Sequence, residues 1–151
     1  MDFSFDTTLK TRIIFLQQLE TLSLEQLNAI PTGFSNNIFW NIKHVVVTQQ
    51  LLVYGLSNLP MQVSETEVNA FRKGTKPNQE ATKEDVELLK NQLLSTLEQT
   101  KNDYKNGIFK TYNEYTVTTK STLTSAEDAI IFNNFHEGIH LGYILALKHL
   151  I

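Results

Sequence analysis

Residues 124–150 read TSAEDAIIFNNFHEGIHLGYILALKHL and predict a helix long enough to span a small domain. Thr124 or Ser125 suits the position that caps a helix N-terminus. Glu127 and Asp128 fall in the first turn, where carboxylates interact favourably with the helix dipole. We therefore expect one helix from about residue 124 to the end of the sequence. A helix of this length needs other elements to cover its apolar side.

Three other segments have helical periodicity, and they cover about residues 6–22, 36–56 and 82–107. The first follows Asp6 and Thr7, which suit a helix cap. Its predicted buried face consists of four apolar residues that lie three or four positions apart: Leu9, Ile13, Leu16 and Leu19. The second segment is mostly apolar, which predicts a helix in the middle of the core.

The third segment has the clearest boundaries. Thr82 and Asp85 have the spacing of a capping box, and Gly107 suits the end of the helix. Its predicted buried face is Val86, Leu89, Leu93 and Leu97. Four long helices in a chain of 151 residues predict an all-α fold, a four-helix bundle formed by a single domain over residues 1–151.

Two connections, residues 57–81 and 107–123, are longer than usual for a helical bundle. SETEVNAFRK at 64–73 predicts a short helix in the first of them. TYNEYTVTT at 111–119 is rich in β-branched and aromatic residues, which predicts a small hairpin in the second.

Composition excludes several classes of protein. The net charge is −3 and the sequence pI is about 5.8, which argues against nucleic acid as a partner. The N-terminus carries acidic residues where a signal peptide would be basic, and no apolar run has the length of a membrane span. We expect a cytoplasmic protein that does not interact with membranes. Because the chain has no cysteine, a metal must be bound by His, Asp, Glu or Asn side chains.

The fourth helix contains His136-Glu137-Gly138-Ile139-His140, a literal H-E-x-x-H. A zinc peptidase with this motif needs a third ligand downstream, and neither a suitably spaced histidine nor any acidic residue follows Glu137. His149 lies about two and a half turns past His140, so it points away from the pair and is expected to be exposed. The peptidase interpretation therefore lacks a ligand.

The two histidines can still share an ion, because residues four apart lie on one face of a helix. His44, in the middle of the apolar second helix, is the obvious third donor. Three imidazoles leave coordination positions open, which is typical of a catalytic site. The alternative is that His44 is a hydrogen-bonded core residue and that the pair forms a polar stripe. Glu137 lies about 100° around the helix, which favours a neighbouring or surface position over a ligand.

Two stretches, FWNIKHVVVTQQLLVYGL at 39–56 and residues 124–150, resemble the metal-bearing helices of the DinB/YfiT-like superfamily of four-helix-bundle metalloenzymes. That family has a histidine on its second helix after an aromatic residue and Asn or Gly, and H-x-x-x-H-x-G on its fourth. The resemblance implies that His44, His136 and His140 bind one divalent ion, zinc or nickel. Many members have Gln where this chain has Tyr143.

The resemblance also implies an activity. Family members include transferases that use a low-molecular-weight thiol such as bacillithiol, and others are classed as metal-dependent hydrolases. A small-molecule substrate, a homodimer and a nucleophilic thiol or water at the metal would follow. Trp40, Asn41 and Tyr143 would border the pocket, and Glu137 is a weak candidate for accepting a proton. The alternative is a non-catalytic bundle, stress-associated or binding, with a vestigial or structural metal site.

Overall fold

Four long helices form the body of the computed structural model, which covers residues 1–151. They pack with two short helices and a two-stranded antiparallel sheet. The helices are α1 (Asp2–Thr21), α2 (Leu24–Asn28), α3 (Ile38–Gln50), α4 (Glu65–Phe71), α5 (Lys83–Lys105) and α6 (Ala126–Lys148). A single π-helical turn, Leu51–Gly55, continues α3, and the strands are β1 (Tyr115–Thr116) and β2 (Thr122–Leu123). The predicted helical fold is confirmed.

Local side-chain chemistry sets most helix starts. Asn37 caps α3 by accepting a hydrogen bond from the backbone N–H of Trp40. The predicted capping box of Thr82 and Asp85 is present at the start of α5, and Ser125 caps α6. These three starts lie within two residues of the positions that the sequence predicts.

The prediction for α1 was wrong in its start and correct for only half of its buried face. The helix begins at Asp2, so Asp6 and Thr7 lie inside it and do not cap it. Leu9 and Ile13 are each 37% exposed, whereas Leu19 is buried and Leu16 packs against the core, as predicted. The other buried residues of the helix are Phe5, Thr8, Arg12, Phe15 and Gln18. Polar residues occupy part of this face because they form hydrogen bonds to α6.

Two short elements follow from capping and strand signals. Helix α2, which the sequence analysis did not predict, has a capping box formed by Ser23 and Gln26. The predicted short helix within 64–73 is present as α4. A hairpin also forms, although its second strand, Thr122–Leu123, lies just beyond the segment that predicted it.

Helix α3 is the central element, and it packs against α4, α5 and α6. All but one of its 13 residues are buried, as expected for a helix that is apolar on nearly all sides. Ile42, Val45 and Val46 of α3 belong to the main core, together with Leu89 and Leu93 of α5. None of the helices combines the length and the apolar character needed to cross a membrane. Because neighbouring helices cover α3, its polar residues are also enclosed, and His44 is one of these polar residues.

Candidate metal centre

Three imidazoles meet between α3 and α6. The ring centroid of His44 lies 5.2 Å from that of His136 and 4.8 Å from that of His140, and the two α6 rings are 4.6 Å apart. One nitrogen of each ring lies within 4.8 Å of one nitrogen of each other ring. The structure therefore brings together the three histidines that the sequence singled out, although His44 on α3 precedes both α6 histidines by at least 92 residues.

A backbone carbonyl fixes the orientation of His44. Its Nδ1 lies 2.6 Å from the carbonyl oxygen of Phe71, the last residue of α4. A carbonyl can only accept, so Nδ1 carries the proton and Nε2 keeps its lone pair. Helix α4 is held in place by an ion pair between Lys43 and Glu67. The docking of a short helix thus makes Nε2 the nitrogen with the lone pair, and in this structure Nε2 lies 3.3 Å from the hydroxyl oxygen of Thr48.

An asparagine relay fixes the orientation of His140. The Nδ2 of Asn41 donates to the carbonyl oxygen of Asn37 at 2.7 Å, which leaves Asn41 Oδ1 as the acceptor for His140 Nδ1 at 2.9 Å. Nδ1 of His140 is therefore the protonated nitrogen, and Nε2 is the free one. Hydrogen bonds of this kind orient histidine ligands in metalloproteins and raise their basicity.

His136 lacks the kind of hydrogen bond that orients the other two rings, and burial lowers the pKa values of all three histidines. Nδ1 of His136 is buried and has no hydrogen-bond partner. Burial, together with the neighbouring His140 and His44, lowers the pKa of His136 to about 3. Burial and the neighbouring His44 lower the pKa of His140 to about 4, and burial lowers the pKa of His44. All three rings are therefore neutral near pH 7, which is the form that binds a metal.

A cleft of about 530 Å³ opens beside His44 and His140. The Trp40 ring stacks on His44 with a centroid separation of 4.7 Å and forms part of the wall. The remaining lining residues come from the turn before α3 and from the loop after α4: Ser35, Asn36, Lys73, Gly74, Thr75 and Lys76. The sequence does not indicate these loop residues, since a loop position gives no periodic signal that links it to a distant helix.

Of the three residues predicted to border the pocket, Trp40 lines the cleft and the other two do not. Asn41 is 2% exposed and acts behind His140 instead of lining the cleft. Tyr143 does not line the cleft either; its ring packs edge-on against Phe34 and the residue is 41% exposed. His149 is exposed, as predicted.

Glu137 is fully buried, so its predicted surface position was wrong. Its Oε1 accepts hydrogen bonds from Arg12 Nε at 3.0 Å and Arg12 Nη2 at 2.9 Å. Asn133 donates a third hydrogen bond to the same oxygen at 2.7 Å. Arg12 Nη1 reaches α5, where it donates to the carbonyl oxygen of Leu93 and to Thr96. The glutamate of the H-E-x-x-H sequence therefore connects α6 to α1 and α5 and does not line the cleft, while its second oxygen, Oε2, is buried without a hydrogen-bond partner.

Comparison with known proteins agrees with this geometry. The family model of the DinB superfamily matches residues 8–144. The chain belongs to the DinB superfamily. This DinB chain is also similar to a crystal structure of a conserved protein from Enterococcus faecalis, with a TM-score of 0.68 and 13% identity, over 99% of this chain and 95% of that chain. That likeness shows a shared fold. No curated protein matches the chain in sequence.

The donor set fits a divalent transition metal. Neutral imidazoles suit zinc, nickel, copper and iron, and a three-histidine set leaves open positions. In a tetrahedral site, two nitrogens that each lie about 2.1 Å from the ion are about 3.4 Å apart. Since no pair of candidate nitrogens is more than 4.8 Å apart, binding needs the rings to approach by no more than about 1.4 Å. The unpartnered Nδ1 of His136 also agrees with a missing partner at this site.

Proposed function

We propose that this DinB-superfamily protein is a metal-dependent enzyme whose divalent ion, zinc or nickel, is bound by His44, His136 and His140. The observation that supports the proposal is the convergence of three neutral imidazoles, two of which have their outer nitrogens fixed by protein oxygens. Histidines that served only to fill the core would satisfy their nitrogens with one another or with the backbone. Here one nitrogen of His136 is left buried without a partner.

Within this class, we propose transfer of a low-molecular-weight thiol before hydrolysis. When bound, the metal would supply a Lewis acid that lowers the pKa of a thiol or a water. The residues that line the cleft include no carboxylate, and Glu137, whose Oε1 is paired with Arg12, lies outside that lining. Water therefore has no carboxylate base to assist its deprotonation, whereas a thiol with a pKa near 8.5 needs little assistance.

The chain itself contributes orientation and shape. Phe71 and Asn41 fix two of the rings, and Trp40 shields one side of His44 from water. In the proposed reaction the thiol releases its proton to solvent through the open cleft. Its sulfur then forms a bond to an electrophilic carbon, and the leaving group departs with the electron pair of the broken bond. Because the chain has no cysteine, the sulfur comes from a small-molecule cofactor such as bacillithiol.

The test is a transfer assay with the protein reloaded with zinc or with nickel. Bacillithiol, cysteine and glutathione would each be offered together with monochlorobimane, and the fluorescent thioether would be measured. We expect thioether formation above the uncatalysed rate with at least one thiol, and loss of that excess in His140→Ala. The matched control is His149→Ala, which changes an exposed histidine outside the site. Equal rates in all three proteins would contradict transfer and leave hydrolysis or a non-catalytic bundle.

We also propose that the protein acts as a homodimer. One side of α6 carries exposed apolar residues, since Ile131 and Phe135 are each 53% exposed and Ile139 is 49% exposed. Gly138 and Gly142 lie on the same helix, and no atom lies within 4 Å of the position that a Cβ would occupy at either one, which would allow a second helix to approach closely. An apolar strip of this kind is costly to leave in water and is suited to a symmetric contact between two copies.

A further inference from the structure

The cleft beside the histidines is more positive than the protein as a whole. The chain has 16 acidic and 13 basic residues, excluding histidine. The nine residues that line the cleft nevertheless include two lysines, Lys73 and Lys76, and no acidic residue. A second cavity, which Trp40 also lines, has a net negative lining, because it contains Glu67, Glu80 and Asp85 and one cation, Lys43. The positive charge is therefore specific to the side that contains His44 and His140.

The lysine loop is attached to the histidine site by the backbone. Lys73 follows the end of α4 by two residues, and the Phe71 carbonyl at that end binds His44. Gly74 turns the chain with a φ of 89°, a conformation that a residue with a side chain rarely adopts. Lys73 is thus two residues, and Lys76 five residues, from the carbonyl that orients His44.

Neither lysine has an anionic partner. Lys73 donates one hydrogen bond, to the neutral Thr118 hydroxyl at 2.9 Å, and an ammonium group has three donors. None of the ion pairs in the structure includes Lys73 or Lys76. Both side chains therefore keep donors and charge available to a ligand in the cleft.

We infer that the cleft binds the anionic group of a small-molecule ligand, a carboxylate or a phosphate, through Lys73 and Lys76. The inference rests on the proposed function in one respect: the ligand is the thiol or the electrophile whose reacting atom lies at the histidines. The thiol or the electrophile would then carry a negatively charged group. Two ammonium groups near the surface favour an anion over a neutral analogue of the same shape by about tenfold.

The test compares two thiols of similar shape, 3-mercaptopropionate and the neutral 3-mercapto-1-propanol. Trp40 is the only tryptophan, so its fluorescence reports binding at the cleft directly. Each thiol would be titrated into metal-free and zinc-loaded protein, with succinate and inorganic phosphate as probes that separate carboxylate from phosphate. We expect about tenfold tighter binding of the anionic thiol.

The test variant is Lys73→Gln with Lys76→Gln, and the control is Lys105→Gln with Lys110→Gln. The control removes the same charge from two exposed lysines outside the cleft. We expect the preference to fall to about twofold or less in the test variant and to persist in the control. Equal affinities in wild type, or an equal loss in both variants, would overturn the inference. Because the anion probes are also measured without metal, a protein that fails to bind metal would refute the proposed function and still give a result here.

Discussion

The Glu137→Gln substitution separates a structural role of the H-E-x-x-H glutamate from a catalytic one. Glu137 and Arg12 both have fully buried side chains and form a salt bridge at 2.9 Å. The substitution removes the negative charge and leaves the Arg12 guanidinium buried without a counter-ion. Breaking a buried pair by neutralising one member costs about 3 to 5 kcal/mol. For a domain of this size that corresponds to a fall in Tm of about 10 °C.

The assay is urea unfolding of the metal-free protein, followed by circular dichroism, with metal content measured in parallel. We expect the free energy of unfolding to fall by about 3 to 5 kcal/mol while a folded, zinc-loaded sample keeps its metal. The double variant Arg12→Met with Glu137→Leu is the matched control, since it removes both charges and preserves the apolar volume. It should recover about 1 kcal/mol or more of the loss, because no unpaired charge remains.

Two results would refute this reasoning. A stability unchanged to within about 0.5 kcal/mol would mean that the pair does not hold α1 and α5 to α6. Thiol transfer abolished in a variant that is still folded and fully metal-loaded would mean that Glu137 takes part in the reaction.

Three further outcomes follow from the site and the surface. Asn41→Ala removes the acceptor that fixes His140, and we expect zinc affinity, measured by competition with a chelator, to fall about tenfold while the fold is kept. The folded state lowers the pKa of His136 to about 3, so below pH 6.5 the unfolded chain takes up a proton that the folded chain refuses. Metal-free protein should therefore lose stability as the pH falls from 7 to 5, by about 2 kcal/mol for this residue, and denaturation of His136→Gln should show a smaller loss. Ile139→Glu should convert the proposed dimer to a monomer in light scattering, with unchanged metal content; a wild-type monomer would contradict the dimer.

Local patterns in the sequence were sufficient for much of the site. His136 and His140 could be paired because helical spacing is a property of a single segment. His44 could be added because a polar residue inside an almost wholly apolar helix must be buried and needs a partner. The capping signals at Thr82 and Ser125 were equally local, and the structure has both caps.

Features that depend on distant partners could not be predicted in the same way. The face of α1 follows Arg12, whose burial is favourable only because Glu137 lies opposite it, 125 residues along the chain. The Phe71 carbonyl that orients His44 is a backbone atom, so no residue type indicates it. Helix α2 is different, since the Ser23–Gln26 capping box is visible in the sequence and indicates a helix start there.

The metal content of purified, untagged protein tests the three-histidine centre most directly. Wild type, His44→Ala and the exposed-site control His149→Ala would be reloaded with zinc and with nickel, dialysed and measured by elemental analysis. We expect about one ion per chain in wild type and in the control, and almost none in His44→Ala. Metal well below one ion per chain in wild type, or full occupancy in His44→Ala, would contradict a site built from both α3 and α6.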